Sequence, residues 1–185
     1  MSTIKRTFAA FIEIIEIAAI AIIAVILIRN FLVQPFLVNG ASMEPNFSNN
    51  DYLLVDELSY LLRSPERGEV VVFRYPGDRT IFYIKRIIAL PGEKIKLNND
   101  TIVIFNDEYP EGDTLDEAYL SLGLVTHGDS EIILGENEYF VLGDNRSQSF
   151  DSRSWGPLPK ENLIGLVRLR LWPLSKVSAF ERPAY

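Results

Sequence analysis

Residues 81–90, Ile81-Phe82-Tyr83-Ile84-Lys85-Arg86-Ile87-Ile88-Ala89-Leu90, form an apolar run broken only by two adjacent cations. A run this rich in aliphatic and aromatic side chains reads as a core strand. Strand alternation then puts Lys85 and Arg86 on opposite faces, so one of the two points inward. An ammonium buried without a partner loses affinity for its proton, and a neutral amine near pH 7 can take a proton from a serine. The same segment is also compatible with an edge strand on which both cations snorkel to water.

Outward from this run the strand pattern repeats. Tyr52-Leu53-Leu54-Val55, Glu69-Val70-Val71-Val72-Phe73, Thr101-Ile102-Val103-Ile104-Phe105, Glu138-Tyr139-Phe140-Val141-Leu142 and Leu166-Val167-Arg168-Leu169-Arg170-Leu171 are short and rich in β-branched and aromatic residues. Turn signals separate them: Asn49-Asn50-Asp51, Ser64-Pro65, Pro76-Gly77-Asp78, Pro91-Gly92, Asn98-Asn99-Asp100 and Gly143-Asp144-Asn145. This predicts a mostly β body of antiparallel sheets. Short helices are expected only over Asp56 to Arg63 and Thr114 to Leu122.

Composition removes whole classes of chemistry. The 185 residues, 48% apolar, are enough to bury a core, and they include no cysteine and one histidine. Disulfides, thiolate nucleophiles and cysteine-based zinc sites are excluded, and a histidine-rich metal site cannot be built. A Ser-His-Asp triad would have to use His127, which sits in the turn-like Thr126-His127-Gly128-Asp129 and reads as a solvated loop residue. The net charge of -7 repels phosphate backbones, so no nucleic acid is expected as partner. The acidic run Asp107, Glu108, Glu111, Asp113, Asp116 and Glu117 lacks the ligand-and-glycine spacing of an EF-hand loop and is expected as a solvated loop.

From Phe8 to Ile28 the chain is almost wholly apolar, about the 20 residues needed to cross a bilayer as a helix. Glu13 and Glu16 share one helix face near one end, where snorkelling or protonation lowers their cost. The uninterrupted part, Ile17 to Ile28, has the length of a cleavable signal-peptide core, but Arg29 and Asn30 follow it instead of a small-residue cleavage pattern. A retained anchor over 8–28 is therefore expected. Lys5 and Arg6 place residues 1–7 in the cytoplasm and the remainder, 29–185, outside.

Two further segments carry polar groups suited to catalysis. Asn39-Gly40-Ala41-Ser42-Met43-Glu44-Pro45 has small residues before the serine, which let a substrate backbone approach, and a proline that limits how the chain leaves. Such a turn presents a hydroxyl, though turn serines are also ordinary. Gly143-Asp144-Asn145-Arg146-Ser147-Gln148-Ser149-Phe150-Asp151-Ser152-Arg153-Ser154-Trp155-Gly156 holds two Asp and two Arg at matching intervals, able to pair as forks within one rigid loop. A surface turn is the alternative; the density of polar groups beside an apolar strand favours a buried network.

Taken together, Ser42-Met43-Glu44-Pro45, Tyr83-Ile84-Lys85-Arg86 with Leu90-Pro91-Gly92, and Gly143-Asp144-Asn145-Arg146 through Asp151-Ser152-Arg153 with Trp155-Gly156-Pro157 resemble the successive boxes of the bacterial type I signal peptidases. Arg29 and Gln34-Pro35-Phe36 resemble the segment that follows that family's anchor. The resemblance spans nearly the whole chain and implies antiparallel sheets forming a catalytic core with an inserted β-subdomain, here at about 94–137, and no cofactor or metal. It implies Ser42 as nucleophile and oxyanion donor, Lys85 as general base, and Ser149 as the group orienting the lysine amine. Asp144, Arg146, Asp151 and Arg153 would support the site structurally. Val38, Gly40, Met43, Tyr83 and Ile84 would line shallow pockets for small side chains at the -1 and -3 positions of the substrate. Signal-peptide-bearing preproteins and the lipid bilayer are the implied partners. One position departs: some members carry a serine two residues before the nucleophile as a second oxyanion donor, and Gly40 stands there. Other readings remain at this level: a dedicated or self-processing Ser/Lys peptidase, or an anchored, non-catalytic β-domain that binds an outer-face partner.

Overall fold

The computed structural model describes residues 11–22, 33–98, 100–120, 124 and 126–183. Helix α1 covers 11–22, and every residue in it is exposed, including Phe11, Ile14 and Ile17. The remainder of the expected span, 8–10 and 23–28, lies outside the described residues, as does the expected cytoplasmic segment 1–7. Among the described residues no helix is long and apolar enough to cross a membrane.

The body is two antiparallel sheets. The larger runs in the order β1 (Val33–Leu37), β2 (Tyr52–Asp56), β11 (Leu163–Trp172), β3 (Val70–Tyr75), β4 (Asp78–Ala89), β9 (Glu138–Leu142) and β10 (Leu158–Pro159), with β12 (Ser178–Ala179) paired to β11. The smaller runs β7 (Asp113–Thr114), β6 (Thr101–Phe105), β5 (Lys94–Asn98) and β8 (Asp129–Ile133). All the pairings between these strands are antiparallel. Helices α2 (Ser59–Leu62) and α3 (Ser152–Trp155) are single turns.

Burial explains the two kinds of strand sequence. The solid apolar run of β3 arises because both of its faces are covered: Val70 and Val72 pack with Met43, Phe47 and Val167, while Val71 and Phe73 pack with Ile87, Tyr139 and Val141. Strand β9 is covered on both faces as well, with Tyr139 and Val141 on one and Phe140 and Leu142 on the other. In the smaller sheet only one face is buried, so β5 and β6 alternate, with Ile95, Leu97, Ile102 and Ile104 inward. Each large aliphatic side chain withdrawn from water contributes about 1.5–3 kcal/mol, which makes these three clusters the main stabilising element.

Strand β1 escapes a propensity reading because Pro35 interrupts it; the proline is tolerated because β1 is an edge strand. The helix expected over Thr114–Leu122 is not found in its described part. Leu115 N–H instead donates to Ile102 O at 2.9 Å and its side chain enters the core of the smaller sheet, while Glu117 and Tyr119 turn toward Arg146.

Candidate active site

Ser42 lies on a loop closed at its neck by Val38 N–H donating to Asp51 O and Asn50 N–H donating to Val38 O, both at 2.9 Å. Two apolar side chains seat the loop: Met43 and Phe47 are fully buried against β2, β3 and β11. Gly40 has φ +102°, a left-handed conformation that glycine adopts without strain, and its N–H donates to Asn49 Oδ1 at 2.9 Å. The serine side chain is thus presented toward strand β4 of the larger sheet.

Lys85 reaches it from β4. The pairings Val71↔Lys85 and Val70↔Arg86 put the two cations on opposite faces, but both are buried, at 3% and 5% exposure. The expectation that one of the two faces inward is met by Lys85, and Arg86 is buried as well. Strand β4 has protein on each side, with Ile84 and Ile87 in different core clusters, and the second cation finds a carboxylate. Arg86 Nε and Nη2 donate to Asp144 Oδ1 and Oδ2 at 2.8 and 2.6 Å, a bidentate fork with no exposed edge on the acid.

The Lys85 amine donates to Ser42 Oγ at 2.7 Å and to Ile84 O at 2.9 Å, with the Tyr83 ring 5.3 Å away. Burial lowers its pKa to about 8, against the opposing pull of the Asp151 and Asp144 charges. Burial outweighs that pull because neither carboxylate bonds the amine directly. A hydroxyl and an amine of near-neutral pKa therefore share a hydrogen bond in a site screened from water.

The polar segment after β9 holds this pair, though not by the internal forks its spacing suggests. Asp151 and Arg153 do pair, through Nε to Oδ1 and Nη2 to Oδ2 at 2.8 Å each, and Asp151 also accepts Gly143 N–H at 3.1 Å. Asp144 and Arg146 turn apart. Asp144 takes Arg86 and the Asn46 amide, at 2.8 Å, while Arg146 takes the Glu117 carboxylate and the Thr126 hydroxyl. Glu117 is therefore no member of a solvated loop, as the acidic run implied. It neutralises a guanidinium that is fully buried.

Gly143 sits where nothing larger fits. A Cβ there would lie 2.2 Å from Ser149 Oγ and 2.4 Å from Ser42 O. Ser149 thus flanks the site, but its buried hydroxyl has no hydrogen-bond partner and does not make the expected bond to the lysine amine. His127 is exposed and contributes only its carbonyl, which accepts from Arg153 Nη1 at 3.5 Å.

Beside the pair runs a mostly apolar groove of about 310 Å³, lined by Val38, Gly40, Tyr83, Ile84, Phe82 and Phe150 among others. Met43 does not line it. Its side chain is buried beneath the loop, where Sδ accepts Asp144 N–H at 3.4 Å. Among the described residues no group of three or more His, Asp or Glu side chains could hold a metal ion. Sequence reasoning missed Asn46, Glu117 and Tyr119, which carry the support network, and Asn145. The available signal was a count: Arg86, Arg146 and Arg153 are three cations against the two acids of the segment after β9, Asp144 and Asp151, so one acid had to come from elsewhere.

Comparison with known proteins identifies the family. Residues 11–172 match the family model described as signal peptidase, peptidase S26. The chain is 37% identical over 156 residues to the probable signal peptidase I-2 of Synechocystis sp., covering 81% of this chain and 68% of that protein. It is 33% identical to the signal peptidase I of Pseudomonas fluorescens, covering 82% and 70%, and 29% identical to the signal peptidase IB of Staphylococcus aureus, covering 81% and 83%. A crystal structure of a signal peptidase I from Enterococcus faecalis V583 superposes with a TM-score of 0.47 at 29% identity, over 56% of this chain and 97% of that one. With the family model matched over most of its length and relatives above 30% identity on most of theirs, the chain belongs to the signal peptidase family, peptidase S26.

Proposed function

We propose that this serine peptidase removes signal peptides from exported preproteins with Ser42 as nucleophile and Lys85 as general base. The observation that carries this reading is the 2.7 Å contact between Ser42 Oγ and a buried lysine amine whose pKa is lowered to about 8. In the neutral form the amine accepts the hydroxyl proton as Oγ attacks the scissile carbonyl. The C–N bond then breaks, the leaving amine takes a proton from the lysine ammonium, and an acyl-enzyme remains. A water, deprotonated by the same amine, adds to the ester carbonyl and releases Ser42.

The substrate lies extended along the groove, in the manner of an added strand. Val38, Gly40, Tyr83 and Ile84 face its small residues at -1 and -3; Met43 contributes only from below, by seating the loop. The developing oxyanion is met by Ser42 N–H. Gly40 supplies no side-chain donor and its own N–H is engaged by Asn49, so a water or another backbone group completes the hole. Ser149 flanks the pair with its hydroxyl buried against Gly143, and the amine is oriented by the Ile84 carbonyl, to which it donates at 2.9 Å. Asp144, Arg146, Asp151 and Arg153 hold the frame.

Residues 8–28 anchor the enzyme in the membrane, with residues 1–7 cytoplasmic and the peptidase body outside. The apolar, exposed surface of α1 supports this, since 12 residues of such composition are costly to leave in water. The decisive test is Lys85→Arg, which keeps charge but cannot act as a base. Preprotein cleavage in detergent is expected to fall by roughly 10³-fold or more, and Ser42→Ala should abolish it. Near wild-type cleavage by Lys85→Arg would remove Lys85 from the mechanism.

A further inference from the structure

An oxyanion donor works only when its N–H is aimed before bond formation begins. Ser42 N–H belongs to the same rigid plane as the Ala41 carbonyl, and in a trans peptide the two point in opposite directions. Whatever fixes the Ala41 oxygen therefore fixes the Ser42 N–H. Asn145 Nδ2 donates to Ala41 O at 3.1 Å, and Asn145 N–H donates to Ser42 O at 3.0 Å. One residue thus holds both peptide planes that flank the nucleophile.

Asn145 is itself held. Its Oδ1 accepts from Ser147 Oγ at 3.2 Å, which leaves Nδ2 turned toward Ala41. Its chain neighbours are locked on both sides, Asp144 by Arg86 and Asn46, Arg146 by Glu117 and Thr126. Glu44 N–H also reaches Ala41 O, at 3.1 Å, but it lies within the same loop and moves with it. Among the described residues, Asn145 is the one that ties that carbonyl to a different part of the fold.

From this geometry we infer that Asn145 is a positioning residue whose carboxamide aims the Ser42 N–H at the oxyanion; the inference rests on Ser42 being the nucleophile. The backbone bond to Ser42 O survives any substitution, so the loop stays seated when the side chain is changed. Aspartate has the same shape but offers a carboxylate to a carbonyl oxygen, and alanine offers nothing. Both should spoil the aim without touching the amine.

The test uses the full-length protein in detergent with a preprotein substrate, and compares Asn145→Ala, Asn145→Asp and Ser147→Ala with wild type. The Asn145 variants are expected to lose roughly 10- to 100-fold in kcat, somewhat less than a deleted donor, with KM within about twofold and the pH midpoint unchanged. A peptide aldehyde, which forms a hemiacetal oxyanion on Ser42, should lose affinity in step with kcat. The matching peptide alcohol, which cannot, should bind as before. Ser147→Ala changes an exposed hydroxyl whose bond is to Asn145, so it folds, and it should show a smaller loss in the same aldehyde-to-alcohol ratio. An unchanged ratio in the folded variants, a rise in KM at constant kcat, or equal loss of both inhibitors overturns the inference. Retained cleavage by Ser42→Ala would instead overturn the nucleophile assignment on which it stands.

Discussion

Lys85 ties the rate to the medium. Its lowered pKa means that the amine is mostly protonated at pH 6 and mostly neutral above about 8. With the neutral form as the base, as proposed above, kcat/KM should climb roughly tenfold per pH unit below the midpoint and level off above it. A profile that is flat between pH 6 and 9 would disconnect the amine from the reaction. The sign for stability is the same: the unfolded chain holds this proton more tightly, so the native state gains stability as pH rises from about 8 toward the ordinary lysine value. Gly143 offers a second test at this scale. Gly143→Ala drives a methyl group into the Ser42 carbonyl and the Ser149 hydroxyl, and should cost about 1–3 kcal/mol in denaturant unfolding while lowering kcat much more than KM. Full activity in that variant would mean that the serine loop can retreat at no cost.

Among the elements, those with solid apolar composition were legible from the chain alone. Strands β6 and β9 begin and end where their residues predict, and β3 and β11 differ only at their ends. What stayed hidden has physical causes. Strand β1 carries a proline, β5 alternates lysine with aliphatic residues, and β7 and β10 are two residues long, too short for any periodicity. Lys85 could be suspected because it breaks the apolar pattern of its strand, and Ser42 because its segment resembles a box of a known family. Their supports could not, since Asn46 and Asn145 look like ordinary turn residues and Glu117 like one of many surface acids. The segment after β7 is therefore a structural strut disguised as a loop. Glu117→Ala leaves the buried Arg146 without its carboxylate, and should cost about 3 kcal/mol in unfolding and reduce cleavage several-fold. A change within experimental error would show that Thr126, Tyr119 and the Gly143 carbonyl suffice for Arg146.

At the scale of the whole molecule the body and the proposed anchor are separate in sequence: strand β1 opens at Val33, a few residues beyond the expected end of the span. The full chain should remain in the membrane pellet through an alkaline carbonate wash, whereas a chain beginning at residue 30 should be released by it and still cleave a short peptide in detergent. Release of the full chain would argue against a spanning anchor. Within the body, the two sheets meet around one long strand, and the pairing of β4 with β3 decides which cation serves chemistry and which serves architecture. A slip of a single position would turn the guanidinium toward the groove and the amine toward the wrong side, giving a well-packed but inert molecule. The Arg86–Asp144 fork penalises that error, since Asp144 is fully buried and a guanidinium fills both of its oxygens at once. Architecture and reach are thus yoked: with the guanidinium seated on Asp144, the neighbouring amine is left on the opposite face, within 2.7 Å of Ser42 Oγ.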